Sequence, residues 1–321
     1  MLGVAGLGLL ALPLYSAPAV AGDAADGLTK FNETSRNRLR RLLADPNFSG
    51  RISAADVRAL AESEGKGVDG VMFALLPLAQ VYARPPISHF RAGAVVRGAS
   101  GAVYLGANLE FPGHPLGFTV HGEQAALANA YMHGESDVVS LAGSDAPCGH
   151  CRQFMYELSP QGDLAVLIDG AAPRKLSALL PEAFGPKDLG FKDGAFPPKE
   201  VDLTLQGDAP DALTAAAVDA ARKSYAPYTK GYAGIALGTA RGRIFAGAYL
   251  ENAAFNPGLP PLQTALVGLI LAGEDFSAIS RVCLAEVRDA VISQKGVTEA
   301  ILGTLAPGVK LQVVQTLRRG E

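Results

Sequence analysis

His121 and Glu123 stand two apart in "TVHGEQAALANAYMHG" (119–134), and Cys148 and Cys151 stand three apart in "APCGHCRQFMYEL" (146–158). An imidazole and two thiols are metal-ligating groups, and a carboxylate is a proton carrier. Positions two apart on a helix do not share a face. His121 and Glu123 therefore cannot be ordinary helix neighbours with one job. Cys148 and Cys151 follow Pro147, a residue suited to the first helical position. Three apart on a helix they share a face, so both sulfurs reach one ion. The positive helix end helps hold them as thiolates, the form that binds metal. His121 supplies a third ligand from the start of another helix. Three protein ligands leave one tetrahedral position for water, as catalytic rather than structural zinc requires. Zinc lowers the pKa of such water to about 7, and Glu123, spared from ligation, is placed to take its proton and pass it on.

A Cys-x-x-Cys pair alone fits a redox motif, a zinc half-site or chance. A strand-like "VVSLAG" precedes it, as a redox motif also requires, so spacing does not decide. The upstream His-x-Glu and Pro147 select zinc. His150, between the two cysteines, is expected to point elsewhere, and Arg152 either tempers a thiolate or is a surface arginine.

The elements that must position these groups alternate. Residues 28–71 read as a helical preface, with Ser53 as an N-cap. From 72 to 190 come a helix, a hairpin over "FRAGAVVRGASGAVYLGANLEF", an Ala-rich helix closed by Gly134, a strand, a helix and a strand. A Gly/Pro/Lys-rich stretch leads into a linker, 191–208. Residues 209–321 then repeat the order of helix, hairpin, helix, strand, helix and strand. Alternation of this kind predicts an α/β fold with helices on both faces of a sheet. "GANLEF" (106–111) aligns with "GAYLEN" (247–252), setting Asn108 against Tyr249 and Glu110 against Glu251. One gap later, His121 falls on Pro261 and Glu123 on Gln263, while the stretch matching "PCGHCRQ" lies near "AVISQKG" and has no cysteine. The second copy keeps the fold and loses the metal set, leaving Tyr249, Gln263 and Cys283 to packing.

The pattern H-x-E…P-C-x-x-C is the signature of zinc-dependent nucleobase deaminases. The chain resembles the cytidine deaminases, in their large-subunit homodimeric form, through "FALLPLA", "GANLEF", "PCGHCRQF", "AFGPKDL", "GRIFAGAYLENAAFNPGLPPLQTAL" and "LAE", over roughly residues 70–321. The resemblance implies a three-layer α/β/α fold with a mixed five-stranded sheet, duplicated in the chain, and one zinc per chain in the first copy. It implies hydrolysis of cytidine and 2′-deoxycytidine to the uridines in pyrimidine salvage, with His121, Cys148 and Cys151 as ligands and Glu123 as the catalytic residue. It places Asn108 and Glu110 on a ribose hydroxyl, Phe90 against the pyrimidine, and the Gly122 backbone against the base. Ala254 and Phe255, in the loop near "NAAFNP", would close the partner subunit's site in a homodimer. Two departures concern the pocket: Gly122 where the family usually has Ala, and Asp145 where close relatives carry an aromatic.

Composition narrows the alternatives. The chain has 321 residues, 49% hydrophobic and 18% charged, with net charge −3 and no Trp. A deaminase acting on polynucleotides wants a basic groove and stacking aromatics, so no nucleic-acid partner is expected. A structural zinc module wants a fourth Cys or His, and none is evident. Three cysteines are too few for a disulfide framework. The first 27 residues form an extension with an apolar run that is signal-like but lacks a leading Lys or Arg. No membrane partner and a cytoplasmic location are expected, with export the minority reading.

Overall fold

A computed structural model describes residues 27–159, 163–207 and 211–319. The signal-like run lies outside the described residues. Among those described, no helix is long and apolar enough to cross a membrane.

The preface begins with α1 (Glu33–Leu43), capped by Asn32, whose side chain accepts from the Ser35 N–H. A two-residue strand β1 (Arg51–Ile52) follows, then α2 (Ala54–Glu64), where Ser53 is the N-cap expected and accepts from the Asp56 N–H. After α3 (Val68–Val81) the hairpin forms as β2 (Gly93–Gly98) and β3 (Val103–Ala107), in register Ala94 opposite Gly106 and Gly93 opposite Ala107. The chain continues through α4 (Gly122–Met132), β4 (Val138–Gly143), α5 (Gly149–Leu158), β5 (Ala165–Ile168), β6 (Arg174–Lys175) and the single turn α6 (Leu176–Leu179). Gly134, at φ 72°, ends the α4 turn in the left-handed conformation its position demands.

Successive strand residues face opposite sides, and two glycines show what covers each. A Cβ on Gly93 would press on Gln80 and Leu76 of α3. A Cβ on Gly106, whose partner Ala94 follows Gly93, would overlap the Ala126 nitrogen and the Gly122 carbonyl of α4. The sheet therefore lies between α3 and α4, the three layers expected. Because α4 carries His121 at its head, this close approach also sets the site. Gly106→Ala must push backbone from backbone, so it is expected to cost about 2 kcal/mol or more. Chemical denaturation would measure this, and an unchanged midpoint would remove the constraint.

The second copy consists of β7 (Leu203–Leu205), α7 (Ala212–Arg222), β8 (Ala233–Thr239), β9 (Ile244–Ala248), α8 (Pro261–Leu271), β10 (Ile279–Val287), α9 (Lys295–Leu305) and β11 (Leu311–Arg318). Its sheet runs β7-β11-β10-β8-β9, and the first runs β1-β3-β2-β4-β5-β6. Both are mixed, with β4 parallel to β5 and β10 parallel to β11. Five strands hold for the second sheet. The first has six, because β1 of the preface pairs with the outer edge of β3. The stretch read as linker also contributes structure: Leu203–Leu205 forms β7 and closes the edge of β11.

The copies match in fine detail. Gly247 approaches Ala265 and Pro261 as Gly106 approaches Ala126 and Gly122. The bridge from Leu109 to Val120 recurs between Leu250 and Leu259. This corrects the alignment after the hairpin by one residue. His121, the N-cap of α4, corresponds to Pro260, the N-cap of α8; Glu123 corresponds to Leu262, and Gln263 to Gln124. Sequence alone misplaces the gap because both loops are irregular. Helices α4 and α8 pack together, and one continuous core spans both copies, from Leu28 to Ala306. Cys283 is buried in a smaller second cluster with Leu213 and Ala217.

Candidate metal centre

Two helix starts converge here. His121 caps α4 in extended conformation, and its backbone N–H donates to Gln124 Oε1 at 3.2 Å. Cys148 caps α5, its sulfur accepting from the Cys151 N–H at 3.5 Å. Pro147 thus precedes the N-cap rather than occupying the first helical position. The cap bond is what turns both sulfurs to one side. Cys148 Sγ lies 3.6 Å from Cys151 Sγ, and His121 Nδ1 lies 3.5 Å from the first and 3.3 Å from the second. Zinc bonds of about 2.3 Å to sulfur and 2.0–2.1 Å to nitrogen give tetrahedral edges of about 3.8 Å for S···S and about 3.6 Å for S···N. The three donors stand close to these spacings, and one imidazole with two thiolates is a donor set that suits zinc. Among the described residues no other group of His, Cys, Asp or Glu is gathered closely enough to hold an ion.

The electrostatics point the same way. The two thiols act as a pair. Hydrogen bonding with Cys151 pulls the Cys148 thiol down to about 4, helped by backbone N–H groups and by His121. The same contact, then burial, pushes Cys151 up. One proton leaves the pair readily, and a bound cation would favour loss of the second. Glu123 Oε2 lies 3.4 Å from Cys151 Sγ, beside the ligand set. Burial raises the pKa of the Glu123 carboxyl, favouring the protonated form.

The remaining candidates fall into two groups. Antiparallel pairing of Leu109 with Val120 lays Asn108 beside His121 and Glu110 beside Thr119. Asn108 Oδ1 accepts from the Ala92 N–H at 3.0 Å and its Nδ2 donates to the Phe90 carbonyl at 2.9 Å. Glu110 accepts from the Ile87 and Ser88 N–H groups and the Ser88 hydroxyl. Asn108 and Glu110 thus both fasten the loop presenting Phe90, which is 55% exposed. In the second copy Glu251 holds Tyr228 and Thr229 in the same way, so loop fastening belongs to the fold. Gly122 is the first residue of α4. A Cβ there would meet Ala92 O and Gly93 C at 3.4 Å, ordinary contact, so alanine fits. Gly122→Ala is expected to stabilise the protein by about 0.5–1 kcal/mol through lost backbone freedom; a lowered melting temperature would contradict this. Asp145, exposed, accepts from the Ser144 hydroxyl. Ala254 and Phe255 are exposed in a separate loop, and Phe255 has φ 61°.

Three neighbours support the site, and of these Gln124 escaped the sequence. His150 stacks on His121, centroids 5.4 Å apart, fixing the ligand's ring rather than ligating. Gln124 bonds His121 and also reaches the Pro257 carbonyl of the second copy; its place three residues after the cap was the signal available. Arg152 turns from the sulfurs and donates to the Pro147 and Leu179 carbonyls, bracing the approach to Cys148.

Two models of the cytidine and deoxycytidylate deaminase zinc-binding region match, one over residues 69–164 and the other over 176–299. The chain is 46% identical over 270 residues to cytidine deaminase of Salmonella typhimurium, covering 84% of this chain and 91% of that one. It is 44% identical over 267 residues to cytidine deaminase of Yersinia pestis, covering 83% and 90%. The solved cytidine deaminase of Mycobacterium tuberculosis is 32% identical over 34% of this chain and 89% of its own, with TM-score 0.31. Two gathered helix starts, a duplicated sheet and near full-length similarity lead to one conclusion: the chain belongs to the cytidine deaminase family, in its zinc-dependent, duplicated-domain form.

Proposed function

We propose that the protein hydrolyses cytidine and 2′-deoxycytidine to uridine and 2′-deoxyuridine, releasing ammonia, in cytoplasmic pyrimidine salvage. The observation that carries this is the gathering of His121, Cys148 and Cys151 at tetrahedral spacing with the Glu123 carboxylate beside them. When bound, zinc makes hydroxide available at neutral pH by lowering the pKa of water to about 7. Glu123 takes up one proton of the water and delivers it to the ring nitrogen, then takes the second from the hydroxyl formed at C4 and delivers it to the departing amino group. Oxygen replaces nitrogen at C4, and water and cytidine become ammonia and uridine.

The other residues bind and orient. Phe90 packs against the pyrimidine, and the Gly122 backbone lies along the base. Asn108 and Glu110 hold a ribose hydroxyl, and the Glu110 carboxylate repels a phosphate nearby, so nucleosides are taken over nucleotides. Residues 72–190 carry the catalysis and 209–321 form a silent copy. A homodimer completes the site, Ala254 and Phe255 of the partner subunit closing it. The test follows loss of the near-ultraviolet band of cytidine, cytidine monophosphate and single-stranded DNA cytosine, with and without a chelator. Turnover of cytidine alone, abolished by the chelator, is expected. Faster turnover of DNA would replace the nucleoside reading.

A further inference from the structure

Glu157 is fully buried on α5, the helix that Cys148 caps, and the mechanism above makes no use of it. A carboxylate in the interior is costly unless donors surround it. All three of its donors come from the second copy. Its Oε1 accepts from the Tyr225 and Tyr228 hydroxyls at 2.8 and 2.6 Å, and its Oε2 accepts from the Ala253 N–H at 2.8 Å. Asn252 adds a second fastening, donating to the Gln153 carbonyl of α5 at 3.2 Å and accepting from the Ala254 N–H at 2.9 Å. Counting from the caps Cys148 and Gln294, the position matching Glu157 on α9 is Gly303. The repeated fold does not require a carboxylate there. What Glu157 fastens is the loop that presents Phe255, 65% exposed and in the left-handed region that aromatics rarely adopt.

We infer that Glu157 is a positioning residue for the other subunit's site: by holding Ala253 it sets the loop carrying Ala254 and Phe255, so the metal-bearing helix of one protomer braces closure over its partner. This rests on the reading that Ala254 and Phe255 act across the dimer.

Mixed dimers, made by co-expressing two differently tagged chains, test both. The Glu157→Leu homodimer is expected to show KM for cytidine raised about tenfold, with kcat and zinc content within about twofold. A merely structural role would lower the melting temperature and leave KM alone. Paired with a Glu123→Gln chain, the only live site lies in the Glu157→Leu protomer and is covered by an intact loop, so KM returns to the wild-type value. A wild-type KM in the homodimer, or a raised KM in the mixed dimer, overturns the proposal. Glu157→Gln keeps size and one acceptor oxygen; it carries the same comparisons, with about a threefold rise, where the leucine variant does not fold. Phe255→Ala run in parallel separates the underlying reading. If its homodimer KM is normal, or its mixed dimer is not restored, the loop does not act across the dimer and that reading falls first.

Discussion

Glu123→Gln is expected to lose about 10⁴-fold in kcat, the upper range for removing a positioned proton carrier, while keeping its zinc. Glutamine has nearly the same shape and still fills the space beside Cys151. It cannot accept a proton and give it back. Glu123 is also the residue the fold can best spare, since the matching position of the second copy is Leu262 and the helix still forms. The variant should therefore fold and bind substrate as the wild type does. The measurement is kcat together with metal content by atomic emission. Turnover within about tenfold of the wild type would take the proton transfer away from Glu123.

Loss of a ligand should act differently, removing metal, activity and stability together. In His121→Ala or Cys148→Ala, zinc is expected to fall from one per chain to near none and deamination to background. A site that holds zinc at 100 times its Kd stabilises the folded chain by about 2.7 kcal/mol, and this contribution disappears with the ligand. Cys148→Ala also removes the acceptor for the Cys151 N–H, a capping loss of about 1 kcal/mol. Cys283→Ala should keep its zinc, since that thiol lies in the second copy's core near Thr214. Two zinc ions per wild-type chain, or a ligand variant that keeps its metal, would contradict the single-centre assignment. Chelation of the wild type should reproduce the ligand variants and be reversed by added zinc.

Much of this was legible before any fold was known, for local reasons. A metal centre needs particular donor atoms at particular spacings, and Cys148 and Cys151 are brought together by one helix start. The repeat was legible because "GANLEF" and "GAYLEN" preserve the same hairpin end, and the second copy's lack of the metal set because no donors stand at the matching positions. Helix ends followed from single residues: Ser53 as a cap, Gly134 as a left-handed stop.

Tertiary structure decided the rest, wherever the partner in a contact is far along the chain. That His121 stands 3.3 Å from Cys151 depends on α4 and α5 packing side by side, which no local pattern encodes; Gly106 lets α4 sit close on β3. The sixth strand arose from the preface pairing with β3, a choice made by an open sheet edge. The one-residue shift that sets Glu123 against Leu262 could be read only from which carbonyls and glycines meet in space. Arg152 looked like a neighbour of the thiolates and is a brace for Pro147, because a long side chain goes where carbonyls await it. Glu157 was invisible for the same reason: its donors lie in Tyr225, Tyr228 and Ala253, and only folding brings them to one carboxylate. The sequence by itself determined which atoms can do the chemistry. The packing of two copies into one core determined where those atoms stand and what holds them there.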